Sequence, residues 1–293
     1  MKKRRRRWGD RSDGRLLRTL DPFMKMVPYI MKDRVDAQNY FEETIDITEV
    51  DKFLREKRKE NGNINIGFLH IVIAAMVRTI SQKPAINRFV AGQKIYARNG
   101  IYISLAIKKR LSESSAETTI KVKFDPESTI EDIAEKLNKE ILANKDEDTS
   151  NNTDKTADLF MKAPGFLVRF LVWFIKRLDY MGIMPRILNE VSPFHTSVFI
   201  TDLGSLGIEP VYHHLYEFGT TTAFIAFGRK RRKKVIDRND NIITKRYVSI
   251  KVVTDERIAD GYYFASAFKL YTSLLSNPQQ LDKPPEKVFE DID

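Results

Sequence analysis

Asp255-Glu256-Arg257-Ile258-Ala259-Asp260-Gly261 interrupts an apolar pattern near the C-terminus with three acids and an arginine. Just before it, Tyr247 to Val253 reads as a strand. Just after it, Gly261 to Leu275 sets Phe264, Phe268, Tyr271 and Leu275 at the spacing of a helix with one apolar face. The segment is therefore a turn that carries charge between a strand and a terminal helix.

The rest of the chain supplies partners for both. Tyr40 to Ile47 reads as a strand, and Asp46 or Thr48 then caps a helix running to about Lys59, with Val50, Phe53 and Leu54 on one face. Asn61-Gly62-Asn63 is a turn. Gly67 to Ile80 is almost wholly apolar, so that helix is expected to be buried on most sides. Ile101, Ile103, Leu105 and Ile107 alternate with Tyr102, Ser104, Ala106 and Lys108, the pattern of a half-buried strand. Ser128 and Thr129 open a helix with Ile130, Ile133, Leu137 and Ile141 inward, and polar residues 144–156 follow as a surface loop. Thr196 to Thr201 and Thr221 to Phe227 are further strands, and Asp237 to Asn241 is a hairpin turn. Long-range strands interspersed with helices point to an α+β or a mixed-sheet α/β class, in one domain over residues 21–281.

Composition bounds the function. Of 293 residues, 42% are hydrophobic and 31% charged, which describes a folded chain and not a disordered one. There is no cysteine, which excludes disulfides, thiolate metal sites and a cysteine nucleophile. No apolar run is long enough to span a bilayer, and the expected location is cytoplasmic. Residues 1–18 hold nine Lys/Arg against Asp10 and Asp13, so +7 of the net +10 sits there. Residues 1–20 are expected to be a basic N-terminal arm, either solvated or gripping an anionic partner, and residues 282–293 an acidic tail.

Glu256-Arg257-Ile258-Ala259-Asp260-Gly261 resembles the H-x-x-x-D-G signature of the CoA-dependent acyltransferases, with Glu256 in the histidine's place. That superfamily includes chloramphenicol acetyltransferase and the catalytic domain of the dihydrolipoyl acyltransferases of 2-oxo acid dehydrogenase complexes. Lys83-Pro84-Ala85-Ile86-Asn87 is similar to the family's P-x-L-N turn, and Phe199-Ile200-Thr201-Asp202-Leu203-Gly204 to its F-T-I-S-N-L-G strand. Ala223 to Gly228 resembles its A-I-L-G-V-G strand, and Ser276-Asn277-Pro278 its closing L-x-N-P. The resemblance runs from about Phe23 to Leu281. It implies a two-layer α/β domain, a homotrimer with the active site between neighbouring subunits, a higher assembly, and CoA or acyl-CoA as substrate with no covalently bound cofactor.

In the family the signature histidine takes a thiol proton. Imidazole suits this because its pKa of about 6.5 lies near the working pH, whereas a carboxylate's ordinary value of about 4.3 makes it the poorer base. An ionised carboxylate also repels the developing thiolate and oxyanion. Glu256 therefore implies a pseudoenzyme or an altered acyltransferase, with burial as the one route back to basicity. Thr201 matches the serine whose hydroxyl stabilises the tetrahedral oxyanion, and threonine keeps the donor while also being an ordinary strand residue. Asp260 matches the structural aspartate, which in the family pairs with an arginine. His213 and His214, in Tyr212-His213-His214-Leu215-Tyr216, offer a substitute base or an ordinary pocket histidine, and no third residue at suitable spacing makes them a metal site. His195 is expected at a strand entry, and His70 as a hydrogen-bonded core histidine.

Two features fall outside the resemblance. Residues 164–178 form an amphipathic helix in which Arg169 and Lys176 share a narrow stripe and nearly all else is apolar. It is too short to span a membrane, and either packs on its own domain or another subunit, or lies on a bilayer surface. Arg229 to Lys234 is an unbroken basic run that either meets CoA phosphates or forms a solvated ribbon, and its lack of interleaved aromatics argues against specific nucleic-acid binding. The 22 residues before Phe23 leave no room for a lipoyl domain, and Asp154-Lys155-Thr156 is not expected to be a lipoylation site. The second functional reading is thus a non-catalytic oligomeric scaffold, or a membrane-surface assembly protein, that uses the arm and the 164–178 helix.

Overall fold

The computed structural model describes residues 5–60, 65–108, 117–145, 155, 158 and 161–293. A sheet of seven strands runs in the order β2 (Gln38–Asp46), β10 (Ile242–Asp255), β8 (Ala223–Phe227), β7 (Val198–Asp202), β5 (Ile101–Lys108), β6 (Glu117–Phe124), with β9 (Arg231–Ile236) paired to the first half of β10. β7 is parallel to β5 and β8, and the other pairings are antiparallel, so the sheet is mixed. A smaller sheet has the order β1 (Gly14–Leu16), β4 (Lys94–Arg98), β3 (Arg88–Ala91).

Helices cover one face. They are α2 (Thr48–Glu60), α3 (Phe68–Gln82), α4 (Ile130–Lys145) and α7 (Gly261–Ser276), and their apolar stripes share one core with Ile103, Leu105, Val198, Ile200, Ile225 and Val252. Among the described residues the other helices are α1 (Pro22–Ile30), α5 (Gly165–Tyr180) and α6 (Arg186–Val191). As the almost wholly apolar pattern predicts, every residue of α3 from His70 to Ser81 is buried. Helix starts follow their caps: Asp46 accepts from the backbone N–H and hydroxyl of Thr48, and Thr129 and Asp132 bond each other's backbone N–H. Strand alternation places the neighbours of the core residues on the opposite face. There Phe199, Phe224 and Val253 form a second apolar patch with Leu215, which belongs to the irregular segment after β7. This is the two-layer α/β arrangement.

The expected ends need correction. Residues 7–20 do not stand off as a solvated arm. β1 pairs with β4, Arg11 is buried, and Arg15 and Thr19 reach the C-terminal segment. The acidic tail is equally packed: Arg18 and Thr19 donate backbone N–H groups to the Asp293 carbonyl, Asp291 pairs with Arg88, and Phe289 donates to the Ser81 carbonyl. Arg7 and Arg15 of the N-terminal segment pair with Asp293 of the tail. Asn61-Gly62-Asn63, and most of the loop expected over 144–156 with Asp154, lie outside the described residues.

Candidate functional site

Glu256 opens a short 3-10 turn, Glu256–Ile258, at the end of β10. It is half-buried, and its carboxylate has no hydrogen bond or ion pair among the described residues. Thr201 lies near the C-terminal end of β7 with its hydroxyl likewise unpartnered. The register fixes their separation. Thr201 stands opposite Ala226 and Thr254 opposite Ala223, and Glu256 is two residues beyond Thr254. Five residues of strand rise, roughly 16 Å along the strand direction, and one intervening strand place the two at opposite ends of the sheet. The structure does not bring them together within one subunit.

Beneath Glu256 lies an arrangement that sequence reasoning missed. Asp255 holds Arg257 with two charge-assisted hydrogen bonds, 2.8 Å from Oδ1 and 2.7 Å from Oδ2. Arg34 approaches the same carboxylate at 3.5 Å and donates to the Tyr216 carbonyl at 2.6 Å. Arg257 also donates to the Met31 and Lys32 carbonyls. All three charged side chains are buried. Burial pushes the Arg34 guanidinium down, against the pull of Asp255, whereas the same carboxylate outweighs burial at Arg257 and raises it. The cluster ties the end of α1, the His213 segment and the last residue of β10 to one point, and so fixes the backbone from which Glu256 projects. Asp260 does not pair with an arginine. It is exposed and caps α7, its Oδ1 accepting from the Tyr263 N–H at 2.8 Å. The arginine partnership belongs instead to Asp255, five residues earlier.

His213 stacks flat on Phe224, with ring centroids 4.0 Å apart and planes 2° apart. Its buried Nδ1 has no hydrogen-bond partner among the described residues, and burial pushes its pKa down, which favours the neutral ring. Phe224 pairs with Phe199, so Thr201 is a diagonal neighbour on the same sheet face, within about 7–8 Å of Phe224. His213 and Thr201 thus share one surface. His214 is exposed, and its Nδ1 faces the Leu215 carbonyl at 3.4 Å. His70 has both ring nitrogens engaged, by the Gly67 N–H and Asn138, as a core histidine should.

No family model matches the sequence, and no curated protein does either. Solved structures do match. A probable dihydrolipoamide acetyltransferase from Listeria monocytogenes superposes with a TM-score of 0.55 at 14% identity, over 93% of this chain and 97% of that one. Chloramphenicol acetyltransferase gives 0.53 at 10% identity over 89% and 99%. A truncated catalytic core of the 2-oxoacid dehydrogenase multienzyme complex from Thermoplasma acidophilum gives 0.52 at 14% over 90% and 99%. The chain has the fold of the CoA-dependent acyltransferases.

Within this acyltransferase fold the close approaches that shape the Thr201 strand are visible. A Cβ on Gly204 would meet the Gly228 carbonyl oxygen at 2.5 Å, so the turn after Thr201 lies directly against the end of β8. The basic run is partly spent. Arg229 and Arg231 pair with Glu209, and Lys230 with Asp51. Arg232, Lys233 and Lys234 remain on exposed β9 with no ion pair among the described residues. His195 is fully buried in the entry to β7, with Nδ1 2.8 Å from the Ser192 hydroxyl and Nε2 3.2 Å from Asp179. It belongs to a structural cluster with Arg11 and Asp13 and does not face the Thr201 surface.

Proposed function

We propose that this chain is an acyl-thioester-binding protein built on the acyltransferase fold, a pseudoenzyme or altered acyltransferase that assembles as a homotrimer. Its site lies between subunits, with Glu256 of one subunit opposite Thr201 of the next. The observation that carries this reading is the separation of those two residues within one subunit. Two unpartnered polar groups at opposite sheet ends can serve one ligand only across a boundary between copies. The ligand class, CoA or an acyl-CoA as substrate, follows from the resemblance around Glu256, Thr201 and Gly261, and the unpaired Arg232, Lys233 and Lys234 suit its phosphates. The resemblance puts Glu256 where a histidine would collect the thiol proton. A carboxylate there lowers the rate of ordinary transfer while leaving the channel in place.

The test is a thermal melt with and without CoA and acetyl-CoA, run beside an assay of acetyl exchange between thiols. Stabilisation by ligand with negligible exchange is expected. No shift at millimolar ligand removes the site. Robust exchange that disappears only on substitution at position 256 removes the pseudoenzyme. A second reading, favoured by the unpartnered Nδ1 of His213 beside the Thr201 surface, gives the proton transfer to that imidazole. Exchange that survives Glu256→Ala and is lost in His213→Ala selects it.

A further inference from the structure

Helix α5 is attached to the domain by a narrow stripe. Val168, Leu171, Ile175 and Leu178 are half-buried, and of its 16 residues only Asp179 is fully buried. The opposite face is aromatic and open. Phe166 is 78% exposed, Phe170 54% and Trp173 52%. Phe170 stacks between Trp173 and Phe174, at 5.9 and 6.2 Å, so the rings form one layer and not scattered contacts. The exposed charges of the helix are Arg169, Lys176 and Arg177, all positive, with the Arg177 guanidinium 5.7 Å from the Trp173 ring centre. Its one acid, Asp179, is consumed by Arg11.

That last contact matters for what surrounds the helix. Arg11 donates to both the backbone carbonyl and the carboxylate of Asp179, at 2.5 and 2.6 Å. It therefore clamps the N-terminal segment onto the C-terminal end of α5. The N-terminal segment so tied to the helix carries Trp8, 98% exposed and three residues from Arg11. The chain has two tryptophans, and both stand exposed on these two joined segments. No helix among the described residues is long and apolar enough to cross a membrane.

We propose that the open aromatic face of α5, with Arg169, Lys176 and Arg177, forms a docking face for an anionic lipid bilayer surface. The chemistry selects this occupant. Phe side chains enter the acyl boundary, tryptophan rings settle at headgroup depth, and Arg or Lys heads reach lipid phosphates. A second copy meeting through the same face would set Arg169, Lys176 and Arg177 against their own kind with no exposed acid on the helix to answer them, and like charges brought together oppose association. An anionic surface supplies the missing sign. This face is independent of the thioester site and stands or falls separately from it.

The test is sedimentation of the full chain with phosphatidylcholine vesicles, with and without phosphatidylserine, at low and high salt. Co-sedimentation with the phosphatidylserine vesicles, weakened by salt, is expected, together with a blue shift of tryptophan emission. The double variant F166S/W173S should lower vesicle partitioning by at least about tenfold. Charge reversal by R169E/K176E, which leaves the aromatic layer intact, should abolish the preference for anionic vesicles. Absence of co-sedimentation overturns the proposal. So does unchanged partitioning of both variants, or an oligomer that F166S/W173S dissociates while vesicle binding stays the same.

Discussion

Asp255 grips the guanidinium of Arg257, two residues further on, with both carboxylate oxygens, and no water-exposed path relieves either partner. Arg34 completes a buried cluster of two cations around one anion. Asp255→Asn removes the one carboxylate bonded to both buried guanidiniums, leaving only the charges of Glu217 and, for Arg257, Asp33 nearby. The expected loss is about 3–5 kcal/mol, read from urea unfolding.

Asp260 matches the family signature, yet it makes a single cap hydrogen bond at an exposed position. Asp260→Ala should cost about 1 kcal/mol, the ordinary value of an N-cap. If the two variants destabilise equally, the structural role assigned to Asp255 is wrong.

Glu256→His restores the base that the resemblance implies, on a turn the Asp255 cluster already holds. Acetyl exchange between thiols should rise by roughly 10²-fold over the wild-type chain, the lower range for general base catalysis. Thr201→Val in that background should lower it again, since it removes the hydroxyl proposed to steady the oxyanion. No gain in Glu256→His counts against a retained channel.

Much of the large sheet was legible because its signals are local. β5 shows strict alternation, α3 an almost wholly apolar run, and the turn Asp237 to Asn241 the residues that hairpins need. The small sheet was not. β3 and β4 are four and five residues long, and Gly92-Gln93 joins them with φ of 55° and 58°, a two-residue turn in which glutamine takes the place usually held by glycine or asparagine. The ends failed for a different reason. Arg7 with Asp293, Arg88 with Asp291 and Arg11 with Asp179 are pairs between distant positions, and no periodicity records which acid a basic run will meet. At the site, the signature pointed to Glu256, Asp260 and Gly261, while the buried charge that anchors them, Asp255 with Arg34, carries no motif.

Lys121 is half-buried, its ammonium donating to the Asn189 and Ser192 carbonyls. Burial, with Arg98 nearby, pushes its pKa down to about 7 from an ordinary 10.5. Between those values the unfolded chain binds a proton that the folded chain does not, so folding becomes more favourable as pH rises through this window. Below about pH 7 the full cost of the buried charge is present. Wild-type stability should gain about 1–2 kcal/mol relative to Lys121→Met between pH 7 and 9, measured by parallel denaturant titrations. A constant difference between the two proteins across that range contradicts the assignment.

The opposite dependence belongs to Asp179. Burial alone would raise its carboxyl, but hydrogen bonds and charge from His195 and Arg11 hold it well below the usual range. His195 is itself pushed down by burial and is neutral near pH 7, so the charge is Arg11's. Asp179→Asn leaves Arg11 paired with Asp13, at 2.8 Å, and so costs less than an orphaned buried arginine would. About 1.5–3 kcal/mol is expected at pH 7. A carboxyl with a depressed folded pKa stabilises above its unfolded value near 3.8 and loses that contribution as pH falls towards the folded one. The gap between wild type and Asp179→Asn should therefore hold from pH 7 to about pH 5 and close steadily below pH 4. In the same variant Arg11 keeps its bond to the residue-179 carbonyl but loses the ion pair, which loosens the N-terminal segment on α5, so proteolysis near Trp8 should quicken while the melting of the main sheet, followed by far-ultraviolet circular dichroism, shifts by only a few degrees.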